Sequence, residues 1–351
     1  MRKEILYAAM KKAAKVVIKR GFFPGAGQML VKVKNGRLLL AARNANEHML
    51  VMEETDAKNM EAIVEAAIFL QVVNKMTDGE ISLAVSNGRL IIRSTAMKVG
   101  IPVMDAKGWP WPQKFEPVIE TNLSPEITRC RHALGNPESN SLMGAYHLEF
   151  FEEGYRATAL DGHRISIIKD HSGNLVSDVT VDGQMVNDAL ALTQGTVTLK
   201  TDGANVELSS DNYILSGKAR PEPYFGIERM LETDTEIKAK VSSDELKAVL
   251  DVTSVLEPVA IFEIAAGAIV IRPKANTCGE GVFKIPAQIT EGTAYAARIG
   301  VNTRYLLDSL NSIRKEEMEL NISHSSANLK TRVITIDAGS QFEYILPVVI
   351  R

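Results

Sequence analysis

Residues 301–323, V-N-T-R-Y-L-L-D-S-L-N-S-I-R-K-E-E-M-E-L-N-I-S, decide the fold, because two other stretches of the chain are built the same way. An amphipathic helix runs into the short polar turn R-K-E, and alternating apolar residues then predict a strand. After a Ser-rich turn, N-L-K-T-R-V-I predicts its hairpin mate. The first copy starts at Glu61 with A-I-V-E-A-A-I-F-L-Q-V-V-N-K-M, turns at T-D-G, and continues as E-I-S-L-A-V, a turn at Ser86, Asn87 and Gly88, and R-L-I-I-R. Near Gly183 the second copy reads Q-M-V-N-D-A-L-A-L, then T-Q-G, T-V-T-L-K-T, a turn at Asp202 and Gly203, and N-V-E-L-S-S. The copies recur at intervals of roughly 120 residues, too long for solenoid repeats that stack on their neighbours.

A second class of helix recurs at the same interval: Glu4 to Lys19, Ser124 to Leu134, and Ser243 to Leu256. The middle one has Ser124 in N-cap position, Pro125 at the first helical residue and Gly135 past the end. The last opens at Ser243 before an Asp-Glu first turn, which suits a helix N-terminus. Each repeat thus supplies two helices and two groups of one-sided strands, the material of an α+β fold in which helices pack on antiparallel sheets. The expected organisation is three similar domains, 1–119, 120–235 and 236–351. Head-to-tail copies of one unit form a ring when the rotation closes.

Bulk properties agree with several domains, since 351 residues exceed one ordinary domain of ~100 to 200 residues. With 45% hydrophobic and 24% charged residues, and no low-complexity tract, the domains should follow one another closely. Two separated cysteines, Cys130 and Cys278, indicate neither a disulfide framework nor a zinc site, and fit a reducing compartment. Lys11 and Lys12 interrupt the amino-terminal region before an apolar run reaches signal-peptide length, and no apolar stretch is long enough to span a bilayer, so a cytoplasmic protein with no membrane partner is expected. The net charge of −3 means that any attraction to nucleic acid must come from positive charge gathered on one face.

The first helix offers such a face. Leu6, Met10, Ala13 and Val17 form an apolar stripe, while Lys11, Lys15 and Lys19 recur opposite it, with Lys12 beside them and Arg20 extending the run. The matched helix of the second repeat carries Arg129, Arg131 and His132, opposed by Glu126. In the third, Lys247 sits among Asp244, Glu245 and Asp251. Lysines opposite one apolar stripe are usually just a solvated surface, but cations on equivalent helices of an acidic chain point to sequence-independent, salt-sensitive attraction to phosphates.

Three stretches carry a family resemblance: R-A-T-A-L-D-G-H-R-I at Arg156 to Ile165, G-V-N-T-R-Y-L-L-D-S-L at Gly300 to Leu310 after Glu291 and Gly292, and the closing E-Y-I-L-P-V-V-I-R. A looser match, G-E-I-S-L-x-x-x-N-G-R-L-I-I-R-S followed by W-P-W-P, lies in the first third. In order and spacing the chain resembles the bacterial DNA sliding clamp, the beta subunit of DNA polymerase III, along essentially its whole length. That resemblance implies three similar domains per subunit, a homodimeric ring and a DNA polymerase processivity factor without catalytic residues, metal or cofactor. It also implies double-stranded DNA, the replicative polymerase, the clamp loader and repair proteins as partners.

Carried over by motif, a hydrophobic groove for short peptides of those partners would include Met143, Leu160, Gly162, His163, Arg164, Ile165, Ile227, Tyr344, Leu346, Pro347 and Val348. Two Leu-sized anchors buried there contribute roughly 3 to 6 kcal/mol before ordering costs, which suits exchangeable tethering. The channel set would be Lys11, Lys12, Lys15, Lys19, Arg20, Arg129, Arg131 and Lys247. Val99, Ile101, Val255 and Leu256 would form the dimer contact, with Lys98 and Glu257 at its rim. The chain departs from the family where Leu160 replaces a usual Thr, where A-R-P-E-P-Y replaces F-P-D-Y, and where the tail is one residue longer, with Val349 in place of an Arg. The loop Asn136 to Leu142 lacks an aromatic pair that some members use on DNA.

Two alternatives stand beside this reading. One is a divergent clamp-like DNA-binding protein of a mobile element with altered partner specificity, which the groove departures favour. The other is a DNA-modifying enzyme using Asp161 and His163. Yet D-G is first a turn signal, and no Walker, G-x-S-x-G, H-E-x-x-H or Rossmann pattern occurs.

Overall fold

The computed structural model of the chain describes residues 1–17, 23–104, 108–193, 195–265, 267–274, 279–292, 297–325 and 328–349. Strands that alternate buried and exposed side chains pair antiparallel throughout the described residues. Strand Val197–Thr201 shows the pattern: Val197, Leu199 and Thr201 are buried, and Thr198 and Lys200 between them are not. The chain packs into two compact units, Met1–Pro125 with Met185–Ala219, and Glu126–Gln184 with Arg220–Arg351.

In the first unit, an eight-stranded sheet has the order Met60–Glu65, Gln28–Lys34, Arg37–Arg43, His48–Glu54, Tyr213–Lys218, Asn205–Ser210, Val197–Thr201, Ile119–Leu123. A second sheet holds Ser82–Ser86, Arg89–Arg93 and Lys98–Pro102. Helix Lys3–Ala13 buries Leu6, Ala9, Met10 and Ala13, and helix Ala66–Lys75 buries Ala66, Phe69 and Val73. In the second unit, one ten-stranded sheet runs Ala297–Asn302, Val259–Ala265, Ala268–Pro273, Phe283–Gly292, Thr233–Ser242, Glu317–Ser325, Asn328–Asp337, Gln341–Ile345, Arg164–Asp182, Ala145–Leu160. Helices Ser243–Leu256 and Thr303–Ser312 contribute Leu246, Leu250, Leu306 and Leu310 to its core, beside Phe262, Ile271 and Ile322.

Each repeat helix starts at the residue where a strand stops: Glu65 to Ala66, Asp182 to Gly183, Ser242 to Ser243, Asn302 to Thr303. The cap residue keeps extended dihedrals, so the strand's last residue doubles as the helix's N-cap. Asn302 Oδ1 accepts from the backbone N–H groups of Arg304 and Tyr305, and Ser242 Oγ from that of Glu245.

Four local expectations are corrected by these elements. Glu61 to Glu65 is strand rather than helix, because its β-branched Ile63 and Val64 pair with Leu30 and Met29 of the neighbouring strand. The cap of helix Ser243–Leu256 is Ser242, while Ser243 is its fully buried first residue. Helix Lys3–Ala13 stops short of Lys19; a single 3-10 turn, Ala14–Val16, follows, so Val16 is buried and Val17 leaves the stripe. The segment Pro125–Ala133 is a 3-10 helix, and its buried residues Ile127, Cys130 and Ala133 fall at the three-residue period that geometry demands.

Candidate functional site

In the second unit, strands Ala145–Leu160 and Arg164–Asp182 form a hairpin whose tip carries the D-G-H-R residues. Asp161 Oδ1 accepts the backbone N–H groups of His163 (2.9 Å) and Arg164 (3.0 Å), an Asx turn, and Gly162 at φ +85° supplies the left-handed residue. The Arg164 guanidinium is buried. It donates to Asp161 Oδ2 (3.0 Å), to Asp308 (2.9 Å) and to the His132 carbonyl, and it lies 4.5 Å from the centre of the Tyr305 ring. Asp161 and Arg164 thus tie the tip to the neighbouring helix Thr303–Ser312. Among the described residues no group of His, Cys, Asp and Glu could hold a metal ion.

Beyond the tip the chain builds an apolar cavity of about 300 Å³, lined by Met143, Leu160, Gly162, His163, Arg164, Ile165, Phe225, Gly226, Ile227, Met230, Tyr344 and Leu346. Ile165 lies opposite both Leu160 and Tyr344 across the strands, so the three share a face. The Leu346 N–H donates to the His163 carbonyl at 2.9 Å and holds the tail against the tip. Of the residues expected in a groove, the structure brings Met143, Leu160, Gly162, His163, Arg164, Ile165, Ile227, Tyr344 and Leu346 together. Pro347 and Val348 are not part of the lining: the Val348 N–H donates to the Gly300 carbonyl (2.9 Å), which draws the tail onto the strand Ala297–Asn302. Phe225, Gly226 and Met230 were missed. Their signal was the apolar run Y-F-G-I at Tyr224 to Ile227, placed just after the segment that departs from the family pattern.

The opposite face of the same strands is polar. Ser166 and Glu343, neighbours of Ile165 and Tyr344, point away from the cavity. Glu343 is fully buried and accepts from Ser166 Oγ (2.5 Å), Gln341 Nε2 (2.7 Å) and Ser309 Oγ (2.8 Å), with His132 Nε2 at 3.0 Å. Cys130 lies in this region too, its thiol pushed up by burial first and by the Glu343 charge second. One strand pair therefore carries an apolar wall on one side and a hydrogen-bonded anchor on the other.

The cationic residues are more engaged than their spacing suggested. Lys11 is exposed and lies over the Tyr7 ring, whereas Lys12 donates to Asn212 (3.0 Å) and Lys15 pairs with Asp188 (3.0 Å). Arg129 is turned inward by the 3-10 geometry onto Glu126 (2.6 Å) and the Ser312 carbonyl (3.0 Å), while Arg131 stays exposed and Lys247 is half-buried. Lys19 and Arg20 lie outside the described residues. Of the dimer candidates, Val255 is 80% exposed and Leu256 half-buried. Ile101 is corrected: it is 4% exposed, opposite Leu90, and belongs to its own sheet, whose edge strand Lys98–Pro102 also holds the half-buried Val99 opposite Ile92.

No family model matches the chain. The beta sliding clamp of Vibrio cholerae serotype O1 is 20% identical to it over 345 residues, covering 94% of this chain and 93% of that protein. The crystal structure of the DNA polymerase III beta subunit from Thermotoga maritima superposes with a TM-score of 0.88 at 19% identity, over 100% of this chain and 99% of that one. The Pseudomonas aeruginosa sliding clamp bound to griselimycin gives a TM-score of 0.90 at 17% identity, over 99% and 98%. The fold is that of the bacterial sliding clamps, the DNA polymerase III beta subunits, carried here by a divergent sequence.

Proposed function

We propose that the chain is a DNA polymerase processivity factor: a non-catalytic sliding clamp that encircles duplex DNA as a homodimeric ring and tethers polymerase and other replication or repair proteins. The observation that carries the reading is end-to-end correspondence with the clamp fold, covering 99% or more of the chain. The apolar cavity beside the Asp161 turn supports a second part of it, docking of short peptide motifs from the polymerase and clamp loader, since two or three apolar anchors fit such a slot. The organisation into domains 1–119, 120–235 and 236–351 belongs to the same proposal, as does the exposed Val255 as a contact between subunits. No described helix is long and apolar enough to cross a membrane.

Primed circular DNA, the cognate polymerase and its loader test the proposal. Long products should appear only when the chain is added, and should survive salt that strips freely bound protein, because a closed ring is held topologically. Unchanged product length would sink the proposal. Replacing Leu160 with Asp, in the groove that both loader and polymerase would use, should cost loading and tethering alike and so abolish long products; full-length products from that variant would remove the groove from the mechanism.

A further inference from the structure

The hairpin tip at Asp161 has a twin in the first unit. Strands Arg37–Arg43 and His48–Glu54 are joined at 44–47, where Asn44 Oδ1 accepts the backbone N–H groups of Asn46 (2.8 Å) and Glu47 (2.7 Å), as Asp161 does for His163 and Arg164. Asn44 N–H donates to the Glu47 carbonyl as Asp161 N–H does to that of Arg164. The shared turn fixes a register: Arg43 and His48 pair across the first hairpin as Leu160 and Ile165 do across the second. On the far side, Ser216 lies opposite His48 where Tyr344 lies opposite Ile165. A linking segment covers each wall, with Trp109 packed on Ala41 and Leu50, and Ile227 on Leu160 and Ile167.

Beside the Asn44 turn lies a cavity of about 470 Å³, with walls that include Leu50, Ile214, Trp109, Trp111 and Phe115. Two positions set its polarity: His48 and Ser216 stand in its wall where the counterpart has an isoleucine and a tyrosine. Burial, and secondarily the Arg43 charge, push the His48 pKa down to about 4, so its neutral ring offers one N–H donor and one acceptor at neutral pH. Neither the His48 ring nor the Ser216 hydroxyl bonds to another side chain or carbonyl among the described residues. Trp111 is 48% exposed at the mouth. Lys200, which also lines the cavity, is matched by Glu120 at 3.2 Å and faces Glu207 across the strands, so the lining lacks the massed cations that nucleic acid requires.

We propose that this cavity is a second peptide-docking groove, and that its occupant is an extended segment of a partner protein anchored by a tyrosine. The phenol ring would stack among Trp109, Trp111 and Phe115, and its hydroxyl would bond to His48 and Ser216. An apolar slot with a few fixed polar groups selects an anchor that is apolar along its body and polar at its tip. The groove would serve this role whether or not the chain encircles DNA, so loss of peptide binding and loss of processivity are separable failures.

Both tryptophans of the chain, Trp109 and Trp111, line this groove, so tryptophan emission reads it without a label. Titration of the full-length chain with the capped peptide Gly-Leu-Tyr-Pro-Gly should shift emission saturably. Its phenylalanine counterpart should bind about tenfold more weakly, because it leaves the polar floor unpaired. His48→Phe, which leaves only Ser216 to meet the phenol hydroxyl, should narrow the difference between the two peptides, and Trp111→Ala, at an exposed site that folding tolerates, should weaken the tyrosine peptide about tenfold with Trp109 as reporter. Equal affinities in the unaltered protein, no saturable shift at millimolar peptide, or undiminished binding by Trp111→Ala would each overturn the proposal.

Discussion

Glu343 is fully buried, and Ser166, Gln341, Ser309 and His132 surround its carboxyl oxygens with hydrogen-bonding groups. Replacement by Leu leaves those groups unsatisfied, so a loss of ~3 to 5 kcal/mol is expected, with a smaller loss for Gln. Urea melts of the two variants check the order, and equal midpoints for the unaltered chain and Glu343→Leu would show the network to be inert. His48 gives a pH signature of opposite origin. Its folded pKa, about 4, lies below its unfolded value near 6.5, so the unfolded chain takes up the proton first on acidification. The His48 contribution is complete above pH ~6.5 and is lost as pH falls toward about 4; because the ring is only partly shielded, the sign matters more than the size. An NMR titration of the ring should find a midpoint well below six. At this scale the sequence was legible where chemistry is local: D-G-H-R reads as a turn because Asp161 bonds within its own tetrapeptide. That Arg164 would reach Asp308 depends on contact between distant segments, which spacing does not report, and that Ile101 would be absorbed by its own sheet depends on which face of a local hairpin packs inward.

Elements were legible where period and length agree, as in Thr303–Ser312, and misread where two periods compete. Pro125–Ala133 looked α-helical by its caps, yet its apolar residues repeat every third position and it folds as a 3-10 helix. Glu61 to Glu65 looked helical because nothing in the sequence separates a strand from the helix that continues it; the junction at Glu65 has no loop. In the long hairpin of the second unit Gly154, at φ +75°, lies opposite His171, and a Cβ there would collide with the Asp170 carbonyl oxygen. Gly154→Ala should therefore destabilise the chain by ~1 to 3 kcal/mol, whereas Ala at Gly203, which has open space around it, should cost mainly the strain of its positive φ. Thermal melts of the pair separate collision from strain, and equal shifts would show that the hairpin yields at no cost.

At the scale of the whole molecule, the repeat was visible without any structure, but the sheets were not. The middle third of the chain contributes Ile119–Leu123 and Val197–Lys218 to a sheet begun by the first third, and Ala145–Asp182 to a sheet completed by the last. No composition change marks that division, because each strand has the same one-sided pattern whichever neighbour it joins. The free edge strand Lys98–Pro102 and the exposed Val255 are the surfaces on which the proposed subunit contact depends. Sedimentation should give twice the 38.4 kDa chain mass, and Val255→Asp should shift the population toward single chains while leaving thermal stability of each chain nearly unchanged. A chain that sediments as 38.4 kDa at micromolar concentration would rule out the two-subunit ring.

The matched tips at Asn44 and Asp161 separate two properties that usually travel together. Backbone geometry at each tip depends on one side-chain oxygen, and nothing in that bond specifies which residues flank the turn. The flanking positions are therefore interchangeable parts: Arg43 and His48 in one hairpin, Leu160 and Ile165 in the other, mounted on a common bracket. A chain carrying two copies of such a bracket can alter what one copy grips without disturbing the other.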